Sequence, residues 1–158
     1  MKISPSNLFL TSFSSLKTLK KVNFNNLTIY GSQLFSKEDL VNNSSLDFST
    51  RLIFIKTKLI EKELKQNLSL DQVSLRRQIF PFGLKIFIKT RTPIAYGERI
   101  LNGIKISGFI DEEGIFISKN HVEEKNLGDL NIQVFGWHEN FRKTLSKILI
   151  SQNNNDFE

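Results

Sequence analysis

From Leu84 to Lys89 apolar and polar positions alternate, with Leu84, Ile86 and Ile88 on one side and Lys85, Phe87 and Lys89 on the other. That is the period of a strand with one buried face. Just upstream, Val73 and Leu75 oppose Gln72, Ser74 and Arg76, and Pro81-Phe-Gly83 supplies the turn between the two runs. A third strand is predicted at Leu27–Tyr30, stopped by Gly31. Between these runs the period lengthens. Ile60, Leu64 and Leu68 fall at i, i+4 and i+8, Leu59 widens the stripe, and Glu61 and Lys65 form an i,i+4 pair, which predicts a helix from Phe54 to Asn67. Ser36, with Asp39 three residues later, predicts an N-cap and a short helix to Val41, followed by the loop Asn42-Asn-Ser-Ser45. The order is β-α-α-β-β, an α+β arrangement of a three-stranded sheet with two helices on one face.

The pattern changes after Pro93. Short strands are predicted at Ile94–Tyr96, Lys105–Ile110 and Ile115–Ser118, the last two joined by the turn Asp111-Glu-Glu-Gly114. Leu130–Phe135 is a further candidate strand. The last element reads as a helix with Trp137, Phe141, Leu145, Ile148 and Leu149 on one face and Glu139 and Lys143 on the other. The expected organisation is a poorly ordered leader over 1–23, an α+β domain over 24–92, an incomplete mostly-β domain over 93–151 ending in the helix, and a frayed tail over 152–158.

Composition adjusts this picture at three points. The formal charge is +6, but residues 1–26 carry +4, residues 27–92 carry +5 and residues 93–158 carry −3, so the field is polarised along the chain. Ile, Asn, Lys and Phe supply 63 residues while Ala, Arg, Gly and Pro supply 18, a skew that marks an AT-rich genome and discounts the lysine count as a sign of nucleic-acid binding. There is no cysteine, which removes disulfides, thiol catalysis and cysteine-based zinc sites. The longest mostly apolar run, Arg51-Leu-Ile-Phe-Ile-Lys56, falls far short of the about 20 residues of a spanning helix. Met1 to Val22 has no continuous apolar core, so neither signal peptide nor anchor is expected there.

Candidate chemistry is sparse. His121 sits in a polar loop and His138 at the start of the last helix, with no second ligand at metal spacing. The acids at Asp111, Glu112, Glu113, Glu123 and Glu124 lack the spacing of a calcium loop and read as a turn and a solvated face. Gly103 and Gly108 are isolated, and there is neither a glycine-rich phosphate loop nor a nucleophile elbow. No enzyme, cofactor or metal site is expected. The basic stretch Arg76-Arg77, Lys85, Lys89 and Arg91, interleaved with Phe80, Phe82 and Phe87, is the one nucleic-acid candidate, but no GXXG loop or RNP-type string accompanies it. A small basic RNA-binding module is therefore the alternative reading.

Leu27-Thr-Ile-Tyr-Gly31, the capped helix, the amphipathic helix around Ile60–Leu64, Val73-Ser-Leu-Arg-Arg-Gln-Ile-Phe-Pro81 and Leu84-Lys-Ile-Phe-Ile-Lys-Thr-Arg-Thr-Pro93-Ile-Ala95 occur in an order that resembles the POTRA domain of the bacterial cell-division family FtsQ (DivIB). Gly108-Phe-Ile-Asp111-Glu-Glu-Gly114 resembles the family's D-x-x-G hairpin, and Gly136-Trp137 with the last helix is similar to a cyanobacterial member. The likeness covers about residues 24–151. It departs from the family at Phe80, where Trp is usual, and at Thr90, where the motif has Glu. The family's N-terminal transmembrane helix and its later β-domain strands have no counterpart here. The resemblance implies a non-enzymatic divisome scaffold on the extracytoplasmic (periplasmic) face of the cytoplasmic membrane at the septum, held by an anchor absent from this chain. Its implied partners are FtsB/FtsL-like or FtsK/FtsW-like proteins. A POTRA module of an outer-membrane assembly or secretion protein is the other reading of the same fold.

The residues themselves point to a sheet edge or face as the contact surface. An exposed edge is a template for strand addition, and Gly83–Thr90 and Leu27–Tyr30 are the two candidates, depending on strand order. Phe87 is the one apolar side chain that the predicted core does not explain. With Lys85, Lys89 and Arg91 it makes up the expected partner-binding set.

Overall fold

Ser36 opens the first helix with a capping box: its hydroxyl accepts the Asp39 N–H at 3.1 Å, and the Asp39 carboxylate accepts the Ser36 N–H at 2.8 Å. The computed structural model describes residues 20–155 apart from 124 and 126, so the predictions for 1–19 and 156–158 lie outside the described residues. The chain is α+β with two sheets. Among the described residues, those up to Asn67 together with Gln72–Lys89 form one unit, and Leu68–Asp71 with those from Thr90 onward form the other.

The first unit runs β1 (Leu27–Tyr30), α1 (Lys37–Asn42), α2 (Thr57–Asn67), β2 (Gln72–Gln78) and β3 (Gly83–Lys89). The sheet order is β1-β3-β2, with β1 parallel and β2 antiparallel to β3. The antiparallel pair needs only the Pro81-Phe-Gly83 turn, whereas the parallel pair needs a crossover, which the helical segment between β1 and β2 provides. Gly83–Thr90 is therefore corrected from edge candidate to central strand, because β3 is hydrogen-bonded on both sides. The edges are β1 and β2. Leu27, Leu75, Leu84, Ile86 and Ile88 are buried, as are Leu40, Ile60 and Leu64 on the helices.

Three details of α2 differ from the expectation. It starts at Thr57, because Leu52–Phe54 forms a separate 3-10 turn and Ile55 is extended. Leu59 lies outside the buried stripe and is exposed. Glu61 pairs with Lys58 at 2.7 Å instead of Lys65, and its second oxygen accepts the Leu75 N–H at 2.8 Å. That bond ties the helix to the outward edge of β2.

The second unit holds β4 (Pro93–Leu101), β5 (Ile104–Asp111), β6 (Phe116–Ser118), β7 (Gln133–Val134) and α3 (Arg142–Asn155), with sheet order β6-β5-β4-β7. β4 is far longer than the predicted Ile94–Tyr96. It continues to a two-residue turn in which Asn102 and Gly103 have φ of 52° and 77°, the mirror-image turn that Asn-Gly favours between antiparallel strands. Leu130–Phe135 contracts to the two residues of β7, parallel to β4.

Gly97 and Gly108 face each other across β4 and β5. A Cβ on Gly108 would lie 2.4 Å from the Ile117 carbonyl oxygen and 2.5 Å from the Phe116 ring, and one on Gly97 would lie 2.7 Å from Ile110. The bare backbone thus makes room for Phe116, which is buried with Ala95, Ile110 and Leu149 beneath Trp137 and Leu145. Phe141 and Ile148 do not share that face and are 67% and 49% exposed. The helix begins only at Arg142, after the 3-10 turn Glu139–Phe141, so its period does not reach back to Phe141.

Candidate functional site

Alternation sends one set of β3 side chains toward the helices and the other set outward. Register then extends the outward set across the first sheet. Thr28, Lys85 and Arg76 form one row, Tyr30, Phe87 and Ser74 the next, and Lys89 lies opposite Gln72. Tyr30 and Phe87 stack with ring centroids 5.0 Å apart at 14°. The Arg76 guanidinium lies 5.1 Å from the Phe87 centroid and the Lys85 ammonium 5.5 Å from that of Tyr30. The face is therefore a chain of cation, ring, ring and cation across three strands, with each contact attractive.

No carboxylate belongs to these rows. Arg76 and Lys85 are direct cross-strand neighbours, an arrangement in which like charges repel. Among the described residues neither forms an ion pair with an acid. Beside the ring pair lies an open hollow of about 290 Å³, lined by Tyr30, Gly31, Gln72, Ser74, Phe87 and Lys89 among others. Strand addition is restricted at the same time, since Glu61 occupies the Leu75 N–H on the β2 edge.

Of the four residues expected to bind a partner, Lys85, Phe87 and Lys89 come together on this face. Arg91 does not join them. It lies in the second unit with its side chain 6% exposed, bonded to Asp111 and, at 3.1 Å, to Glu113. Asp111 is likewise corrected from a solvated turn residue to a buried one, because it accepts both that guanidinium and the Ile115 N–H at 2.7 Å. Tyr30 and Arg76 belong to the face but were absent from the expected set. Alternation in the β2 run put Arg76 on the polar side, and only the register brings it and Tyr30 against Phe87.

Residues 22–91 match the POTRA domain, FtsQ-type. No curated protein matches the chain. The matched span takes in all five elements of the first unit, so the outer face of this sheet lies within the region that is similar to an FtsQ-type POTRA domain. No helix among the described residues is long and apolar enough to cross a membrane.

Proposed function

We propose that this chain is a scaffold of the division machinery whose work is done by protein–protein contact, through the outer face of the sheet that carries Lys85, Phe87 and Lys89. The observation that supports this reading is the FtsQ-type POTRA match over residues 22–91, on a unit with the corresponding β-α-α-β-β order. Residues 24–92 act as the POTRA domain and 93–151 as part of an FtsQ-type β domain, with 1–23 and 152–158 as flanking segments. The site of action is the periplasmic side of the septum, with the chain held there by a membrane anchor, and the partners are FtsB/FtsL-like or FtsK/FtsW-like proteins.

The test is a two-hybrid and co-purification screen of a membrane-anchored version of the chain against the division proteins of its source organism. At least one division protein is expected to be captured, and Lys85→Glu is expected to abolish that capture. A clean negative with a stably expressed, anchored chain overturns the reading.

A further inference from the structure

We infer that the outer face of this sheet docks an acidic peptide segment of a partner protein, with carboxylates against Arg76 and Lys85 and an apolar side chain in the hollow beside Phe87. The inference rests on the scaffold reading and adds the chemistry of what is bound.

Charge is the first argument. Arg76 and Lys85 stand opposite each other on adjacent strands, their row holds only Thr28 besides, and the rows next to it hold Tyr30, Ser74, Phe87, Gln72 and Lys89, none of them acidic. A like-charged cross-strand pair without a counterion is unfavourable in the unbound protein. A carboxylate placed between the two cations removes the repulsion and gains charge-assisted hydrogen bonds.

Preorganisation is the second. The rings restrain both cations, at 5.1 and 5.5 Å from their centroids, so less side-chain freedom is lost when an anion arrives.

The third argument selects a peptide over other anions. Nucleic acids without regular pairing bind to small sheets by stacking bases on open ring faces. Here Tyr30 and Phe87 cover one face of each other, and the cations lean over the rings. A peptide carboxylate needs no open ring face, and the hollow of about 290 Å³ offers room for an aliphatic or aromatic side chain.

Spacing follows from the register. The hollow lies around Phe87, Ile88 and Lys89, and the cations lie in the row of Lys85. An extended chain advances roughly 3.3 Å per residue, so anchor and carboxylate are two to three positions apart in a peptide that runs along the strands.

Fluorescence anisotropy on the full chain tests this. The probes are a labelled peptide with a leucine anchor and glutamates two and three positions away, the same peptide with lysines in place of the glutamates, and a single-stranded oligonucleotide. The acidic peptide is expected to bind, to weaken as salt is raised, and to exceed both controls. Lys85→Glu and Arg76→Glu are each expected to weaken it about tenfold or more. Thr28→Glu leaves rings and cations in place and adds a carboxylate to their row. It is expected to weaken binding with an unchanged circular dichroism spectrum, which separates loss of the site from loss of the fold.

Binding no tighter than that of the lysine control, binding indifferent to the three substitutions, or preference for the oligonucleotide overturns the inference. If the acidic peptide fails while Lys85→Glu still abolishes capture of a division protein, the scaffold reading stands and only the peptide chemistry falls. If the peptide binds and no division protein is captured, the reverse holds.

Discussion

Both sheets set a guanidinium over an aromatic ring, and they use the arrangement in opposite ways. In the second sheet Arg99 lies 4.4 Å from the Phe116 ring and 5.9 Å from that of Trp137. Phe116 is buried there, and the Trp137 Nε1–H donates to the Gly114 carbonyl at 2.8 Å. In the first sheet Arg76 lies over Phe87, on the side of the sheet opposite the buried Leu84, Ile86 and Ile88. The ion pairs divide in the same way. Arg91 is buried and meets two carboxylates, whereas Arg76 and Lys85 are set side by side and, among the described residues, meet none. Burial forces a charge to be matched, because an unpaired interior ion is expensive. A charge that keeps contact with solvent is under no such demand, so Arg76 and Lys85 can stand together without one.

The largest expected effect breaks the buried side of this contrast. Asp111→Asn leaves Arg91 with Glu113 alone and is expected to cost about 3–5 kcal/mol in urea unfolding. Near wild-type stability would mean that the pair is not what holds this turn. Gly108→Ala drives a methyl group into the Ile117 carbonyl and the Phe116 ring, with an expected loss of about 1–3 kcal/mol. Altered Trp137 fluorescence should accompany it, and an unchanged emission spectrum would argue against the tight fit of Phe116 under Trp137.

In the first unit, Ser36→Ala removes the capping hydroxyl and is expected to cost about 1 kcal/mol without changing binding at the outer face. A change in peptide affinity there would show that stability and recognition are not separable in this sheet. The smallest effect is the sharpest. Lys85→Thr is expected to stay within about 0.5 kcal/mol of wild type, on the stabilising side, because it relieves the repulsion of Arg76. A clear destabilisation would show that the ammonium over Tyr30 is a structural contact.

What could be read in advance depended on how local its physics is. The inward and outward sides of β3 were legible because alternation is a property of six consecutive residues. The start of α1 was legible because Ser36 and Asp39 complete its cap between them. The length of β4 was not, because Gly97, Glu98 and Arg99 interrupt the apolar pattern, and Gly97 is required by the Ile110 side chain that packs over it from β5. Asn102-Gly103 was the signal that would have recovered the hairpin.

The outer face was half legible. Lys85, Phe87 and Lys89 share a strand, but Tyr30 joins them through parallel pairing with a distant segment, a register that no local pattern encodes. Arg76 and Arg91 look alike in the chain. Only the carboxylate of Asp111, twenty residues further on, makes one of them interior.

Glu61 has a consequence for how this chain behaves when many copies are present. The chain contains 18 Ile and 14 Phe, and a seven-residue edge strand such as β2 is a seed for sheet-to-sheet aggregation. An incoming strand meets a carboxylate at mid-edge, where it needs the Leu75 N–H. The opposite edge offers only the four residues of β1. A single acidic side chain on a helix thus occupies the middle of the longer edge, and Glu61→Ala is expected to raise light scattering on concentration by freeing it.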